Sequence, residues 1–228
     1  MKVMRKTSKV KKPSFKKDKN LSDYPKTFSL KDGRSIIVRP MIKQDAKKLF
    51  TFFNELPDED KLFLRDDVSN KETINKWVKN LNYNRVLPLV ALHKDEIVAD
   101  ATLHLSEYGW SRHVAEIRMV TSHKFRGVGV GAILARELYH QALKRGLEKI
   151  FVEMPSDQES TVKIFEKLGF EKEYTLKKHI QDLKGKKHDL LIMSNDVEVL
   201  WKKLESEISE KEEELSSVHY GEPTEGGG

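Results

Sequence analysis

Residues 116–170 decide the fold and read EIRMVTSHKFRGVGVGAILARELYHQALKRGLEKIFVEMPSDQESTVKIFEKLGF. A strand-like start leads into the glycine-rich run RGVGVG, and apolar residues then recur at helical spacing up to Gly146. KIFVEM follows as a second strand, so this stretch predicts one βαβ crossover. Ser156 and Glu159 have the spacing of a capping box, which predicts a further helix that ends at Gly169.

Upstream of this unit the pattern is that of short strands. KTFSLKDGRSIIVRP predicts a hairpin about Asp32 and Gly33, and VLPLVALHK, EIVADATLHLSE and HVAEIRMVTS predict an antiparallel meander. Helices are predicted over 44–56 and 72–81, and FEKEYTLKKHI with KHDLLIMS predicts a closing hairpin. The predicted fold class is α/β (α+β): a single domain with a mixed, mostly antiparallel sheet, one βαβ crossover and flanking helices.

The 228 residues divide into four predicted parts. Residues 1–23 form a basic disordered tail, 24–196 the folded domain, 197–216 an amphipathic helix capped by Asn195, and 217–228 a flexible tail. The net charge of +6 is concentrated at the N-terminus, since residues 1–20 contain nine Lys and Arg and one Asp. Nucleic acid is therefore not an expected partner, except weakly through that tail.

Composition excludes several classes of site. The chain contains no cysteine, which excludes disulfides, thiolate metal sites and a cysteine nucleophile. His104, His113 and His179 lack a paired metal-ligand spacing, so no metal is expected. No apolar run approaches the ~20 residues of a membrane span, and no apolar stretch follows the charged N-terminus. We expect a cytoplasmic protein without a membrane partner.

The glycine-rich run lies between a strand and a helix, where free backbone N–H groups and the helix dipole favour a phosphate. GVGVGA at residues 127–132 also fits the dinucleotide fingerprint G-x-G-x-x-G/A, with Glu153 at a plausible ribose-binding distance. A dinucleotide fold, however, places its glycines directly after the first strand of a repeating βαβ series. Here residues 122–126 intervene and only one crossover is present, so the context disfavours a nicotinamide cofactor.

Arg126, Gly129 and Gly131 match the pattern Q/R-x-x-G-x-G/A, and the next strand and helix end in LGF. Together these features resemble the GNAT superfamily of N-acetyltransferases over roughly residues 27–193. DGRSIIVRPMIKQDAKKLFTFFNELPDEDKLFLR and AEIRMV look most similar to Pat-type protein lysine acetyltransferases, although no regulatory nucleotide-binding domain is present. The resemblance implies acetyl-CoA as co-substrate, no metal, and a primary amine as acceptor, either a protein lysine or a small amine.

A primary amine with a pKa near ~10.4 is protonated at neutral pH and must lose a proton before it attacks a thioester. The resemblance implies Glu116 as the general base and Glu153 as the second candidate. An exposed strand glutamate without a role is the alternative for Glu116. The residues implied for acetyl-CoA are Met119, Val120 and Thr121 along the pantetheine, the loop Arg126, Gly127, Val128, Gly129, Val130, Gly131 and Ala132 at the pyrophosphate, and Gln158 and Phe165.

Gln158 and Phe165 stand where the superfamily often has Asn and Tyr. Phe165 cannot protonate a thiolate, so CoA would leave unassisted or be protonated by water. These departures support a second hypothesis, an acyl-CoA-binding sensor without turnover. The apolar stripe of residues 197–208 allows a homodimer, and Trp77, Trp110 and Trp201 are predicted to be core or partial cover.

Overall fold

The computed structural model describes residues 19–61, 64–182 and 185–199, which form one eight-stranded sheet with five α-helices. The strands are β1 Lys26–Ser29, β2 Ser35–Pro40, β3 Val86–His93, β4 Glu96–Leu105, β5 Val114–Thr121, β6 Lys149–Pro155, β7 Glu171–Gln181 and β8 Lys187–Asp196. The helices are α1 Ala46–Asn54, α2 Asp58–Lys61, α3 Lys71–Lys79, α4 Val130–Lys144 and α5 Glu159–Lys167.

The strand order is β1-β2-β3-β4-β5-β6-β8-β7. Every neighbouring pair is antiparallel except β5 and β6, which α4 connects in parallel. A parallel pair needs such a crossover because the chain must return to the same end of the sheet. The predicted fold class, a mostly antiparallel mixed sheet with one βαβ crossover, is confirmed.

One face of the sheet packs against α4. Leu134, Leu138 and Ala142 recur at helical spacing, and all three are completely buried. Burying a leucine side chain contributes roughly 1.5–3 kcal/mol, so this stripe anchors the crossover helix to β4 and β5. Gly146, with φ +67°, follows the end of α4 in the left-handed conformation typical of a helix stop, as the sequence predicts.

The other face packs against α1 and α3. Phe53 and Ile74 are buried there with Val90 of β3, and the Trp77 ring meets the Phe53 ring edge-on at a centroid distance of 5.7 Å. Val120 of β5 packs against the same cluster. The sheet therefore separates two apolar layers, and the layer under α1 and α3 forms one wall of the cleft described below.

Two helix caps differ from the sequence prediction. Ser156 does not open α5, because its N–H is bound to the carbonyl of Asp189 (2.9 Å) and the helix begins only at Glu159. Asn195 belongs to β8, and its amide contacts the carbonyl of Gly169. The Oδ1 atom of Asp196 instead accepts the N–H groups of the next turn.

Packing of the domain begins before the predicted start at residue 24. Leu21 is completely buried, and the Gln141 side chain donates to the carbonyl of Asn20 (2.8 Å). Most of the predicted 1–23 tail, the 197–216 helix after its first three residues, Trp201 and the 217–228 tail lie outside the described residues. None of the helices in the described part is long and apolar enough to cross a bilayer.

Candidate active site

The parallel strands β5 and β6 separate in the middle of the sheet. They are paired only from Val114 to Glu116, whose partner is Phe151. Beyond that point β5 stays paired with β4 as far as Thr121, whereas β6 continues with β8. The edge of β5 that holds Met119, Val120 and Thr121 therefore faces a cleft rather than β6, and an extended amide-containing ligand can hydrogen-bond there as an added strand.

The cleft measures about 1820 Å³ and is lined by both apolar and charged side chains. Ordinary small-molecule sites occupy roughly 300–1,000 Å³. The space between β5, β6 and the helices is therefore large enough to hold two small-molecule ligands at the same time.

The glycine loop forms one end of this cleft. Gly127 and Gly129 have φ values of +74° and +105°, which other residues adopt only with strain. The first hydrogen bond inside α4 runs from the N–H of Ile133 to the carbonyl of Gly129 (3.1 Å). The N–H groups of residues 130–132 thus have no carbonyl partner within the helix and, with the helix dipole, form an anion site.

The rest of the loop is held by its neighbours. The Val128 carbonyl accepts the N–H of Lys31 (3.1 Å), and an added Cβ at Gly131 would lie 3.9 Å from the Met119 sulfur. Arg126 donates to the carbonyl of Thr121 (3.3 Å) and forms a salt bridge with Asp60 of α2. Arg126 therefore ties the loop to β5 and α2, while the loop backbone is what can meet a pyrophosphate.

Glu116 lies where the strands separate and is only 8% exposed. Its carboxylate accepts two hydrogen bonds from Arg118 (2.8 and 2.6 Å) and one from Arg65 (3.0 Å). The same Nη2 atom of Arg65 also contacts Glu153. The two carboxylates proposed from the sequence as bases are therefore brought together, and one guanidinium bridges them.

His104 faces Glu116 across the β4–β5 pairing, and its Nε2 atom lies 2.9 Å from the Thr102 hydroxyl. Burial, and next the positive charge of Arg118, lower the pKa of His104 to about 4. The imidazole is therefore neutral at neutral pH and adds no positive charge to the site.

Arg65, Arg118 and His104 were not identified from the sequence. Arg118 is two residues from Glu116 on one strand, so the strand period was a usable signal. Arg65 reaches the site from a segment 51 residues upstream, and no local pattern indicates that contact.

Gln158 and Phe165 both line the cleft, at the start and within α5. Phe165 is 2% exposed and packs edge-on against Phe170 at a centroid distance of 5.0 Å. Its side chain supplies hydrocarbon and no proton donor.

Trp77 partly covers the α1 core as predicted, but Trp110 is 95% exposed, so the prediction that it packs as core or cover is wrong. Within the described ranges no cluster of three or more His, Asp or Glu could hold a metal ion.

Residues 48–170, more than half of the chain, match the model of the acetyltransferase (GNAT) family. A curated acetyltransferase from Pseudomonas aeruginosa is 26% identical over 133 residues, which cover 54% of this chain and 68% of that protein.

Two solved structures have the same fold. The GNAT domain of PAT from S. lividans superposes with a TM-score of 0.63 at 19% identity, covering 75% of this chain and 96% of that one. A Salmonella typhimurium protein, solved with its cofactor acetyl-CoA, superposes with a TM-score of 0.62 at 16% identity, covering 71% and 94%. At these identities the likeness establishes the architecture around the cleft.

Proposed function

The chain belongs to the acetyltransferase (GNAT) family and is an acetyl-CoA-dependent N-acetyltransferase, and from this premise we propose that it acetylates the ε-amino group of a protein lysine with Glu116 as general base. The observation that carries the proposal is the meeting, in one cleft, of a strand edge, an anion-binding helix start and two carboxylates. A small primary amine is the second candidate acceptor. We place the reaction in the cytoplasm, in keeping with a chain that has no cysteine.

The described residues fit acetyl-CoA. The free edge at Met119, Val120 and Thr121 suits the amides of pantetheine, and the loop backbone from Gly127 to Ala132 suits the pyrophosphate. When bound, acetyl-CoA supplies an acetyl group activated as a thioester. Gln158 and Phe165 would line its path beside α5.

Glu116 is the proposed acceptor of the proton that the acceptor ammonium must lose. Its carboxylate is buried at the strand divergence, which is the part of the cleft nearest the end of the proposed pantetheine path. Removal of that proton, directly or through water, leaves a neutral nitrogen that forms the new C–N bond as the C–S bond breaks. The nitrogen then loses a second proton, which passes through water to the CoA thiolate. Arg118 keeps Glu116 oriented, and Arg65 must yield its position to the incoming ammonium.

Phe165 leaves the departing sulfur without a side-chain acid at that position. A thiol with a pKa near ~8.5 is already a good leaving group, so protonation by water suffices. The same hydrocarbon environment is the observation that favours the alternative function, an acyl-CoA-binding sensor that retained the cofactor site and lost turnover.

Purified protein incubated with acetyl-CoA and lysine-bearing protein substrates separates these functions. We expect release of free CoA thiol. The mass of the acceptor protein should rise by about 42 Da for each lysine side chain that gains an acetyl group. The same incubation with small primary amines tests the second acceptor class. Tight acetyl-CoA binding without CoA release from any amine would reject the enzyme and favour the sensor.

A further inference from the structure

Asp100 is a buried carboxylate that the acetyl-transfer site does not use. It lies on β4 and is 7% exposed, and its Oδ1 atom is buried without a hydrogen-bond partner among the described residues. The residues paired with it on the neighbouring strands are Val90 on β3 and Val120 on β5, whose side chains cannot donate a hydrogen bond. Burying a carboxylate without a partner is costly, so the fold retains a strong unfilled acceptor here.

Asp100 lines the same cleft as Glu116 and lies on the same face of the sheet. Residues paired across antiparallel strands project to one face, and so do residues an even number of positions apart. Asp100 pairs with Val120, which is four residues beyond Glu116 on β5. At ~3.3 Å per residue, the two carboxylates are separated by ~13 Å along the strand.

The wall around Asp100 suits an alkylammonium group. Trp77, Phe53 and Met41 also line the cleft and belong to one apolar cluster with the register partners of Asp100, so hydrocarbon and aromatic rings accompany a single carboxylate. An ammonium on a methylene chain makes favourable contacts with all three kinds of group. Two of the cations that line the cleft, Arg65 and Arg118, are bound to Glu116 instead.

We propose that Asp100 binds a second ammonium group of the acceptor, so that the preferred acceptor carries two positively charged nitrogens ~13 Å apart. This inference rests on the proposed function for the role of the first nitrogen. An extended chain advances ~3.5 Å for every three bonds, so ~13 Å corresponds to about eleven bonds. A free ten-carbon α,ω-diamine has this span, and so do two lysine side chains about four residues apart on an extended peptide.

Calorimetric binding in the presence of CoA tests the proposal without requiring turnover. The probes are the ten-carbon diamine and the ten-carbon amino alcohol, which has the same length and one ammonium, at pH 8. We expect the wild-type protein to bind the diamine at least tenfold more tightly. Asp100→Asn should bring that ratio to threefold or less, and Asp66→Asn, which removes an exposed carboxylate from the same cleft, should leave it unchanged.

Equal binding of the two probes by the wild-type protein overturns the proposal. A tenfold preference that survives Asp100→Asn, or that Asp66→Asn abolishes equally, also overturns it, because the preference would then come from the net charge of the cleft. Circular dichroism of both variants confirms that they are folded.

A second set of binding measurements, made with peptides, then identifies whether the second nitrogen comes from a protein or from a small molecule. Peptides with a second lysine four residues from the first are compared with partners in which glutamine replaces it. A preference for paired lysines that requires Asp100 assigns a protein acceptor, and a preference confined to the diamine assigns a small one. Failure of all amines to be acetylated would reject the proposed function alone, since binding is measured separately.

Discussion

Glu116 is the proposed general base of the cleft. Three hydrogen bonds from Arg118 and Arg65 stabilise its charge in a position that is only 8% exposed. Buried charges need such hydrogen-bond partners. The Arg65 guanidinium, however, also occupies the space between Glu116 and Glu153. In the proposed mechanism the two arginines have separate roles: Arg118 on the same strand positions the carboxylate, and Arg65 from the distant segment competes with a cationic acceptor.

Glu116→Gln is expected to lower kcat at pH 7 by about 10²–10³-fold, because general base catalysis typically contributes ~10²–10⁴-fold. The Kd for acetyl-CoA should change by less than about threefold, because the proposed contacts with the cofactor come from backbone groups further along β5 and in the loop. Steady-state kinetics and calorimetry measure the two quantities. Glu153→Gln is the matched control, and a larger loss of kcat there would transfer the role of base to Glu153.

Arg65→Gln is expected to lower KM for a cationic amine by about three- to tenfold, because it removes the cation that bridges the two carboxylates where the ammonium is proposed to bind. Arg85, which is exposed and lines the same cleft, supplies the control Arg85→Gln, for which KM should stay within about twofold. A raised KM in Arg65→Gln would show that Arg65 assists acceptor binding instead.

Among the elements, the crossover from β5 through α4 to β6 was the most predictable. Its glycines, its stripe of Leu134, Leu138 and Ala142 and its stop at Gly146 are all local signals, and the structure confirms each. The cap predicted at Ser156 was wrong because its backbone is committed to Asp189 on the neighbouring hairpin. Local spacing cannot anticipate a hydrogen bond that depends on strand register.

The residues of the site also divide into those that local sequence signals predict and those that depend on distant contacts. The position of the glycine loop and the presence of Glu116 in the cleft could be predicted from motif spacing and resemblance. Arg65, His104 and Asp100 could not, because each acquires its environment from a partner on another strand or segment. An isolated sequence shows the residue type at such positions and leaves its burial undetermined.

Gly129→Ala tests the loop as an element. A Cβ there meets no atom within 4 Å, so the change acts only through the φ of +105°, with a strain of roughly 1–3 kcal/mol. The loop can relieve that strain by turning its N–H groups away, so the Kd for acetyl-CoA should rise about tenfold.

Gly109→Ala is the matched control for the loop. Gly109 has a φ of +93°, and an added Cβ there meets no atom within 4 Å, but it lies in the exposed segment between β4 and β5, outside the cleft. Thermal unfolding should show a comparable loss of stability in both variants, while calorimetry shows weaker acetyl-CoA binding only in Gly129→Ala. Unchanged binding in Gly129→Ala would mean that the loop conformation does not set cofactor affinity.

At the scale of the whole molecule, charged side chains of the cleft lie against the apolar core of the sheet. Burying a charged group there lowers the stability of the fold. Asp100 shows it most clearly, because burial raises the pKa of its carboxyl to about 7. The folded protein therefore holds this proton over a pH range in which the unfolded chain has released it. The contribution of Asp100 to the free energy of unfolding consequently falls as the pH rises from about 4 to about 7.

Asp100→Asn removes this dependence, since an amide does not titrate. Relative to the wild-type protein, the variant should gain roughly 2–3 kcal/mol between pH 5 and pH 8, a shift in Tm of about 5–10 °C for a chain of this size. Differential scanning calorimetry at the two pH values measures it. The low pKa of His104 also makes stability pH-dependent, but both proteins share it and it cancels in the difference. Asp66→Asn, at an exposed position, should show the same difference at both pH values, and a pH-independent effect of Asp100→Asn would mean that a cation already neutralises the buried carboxylate.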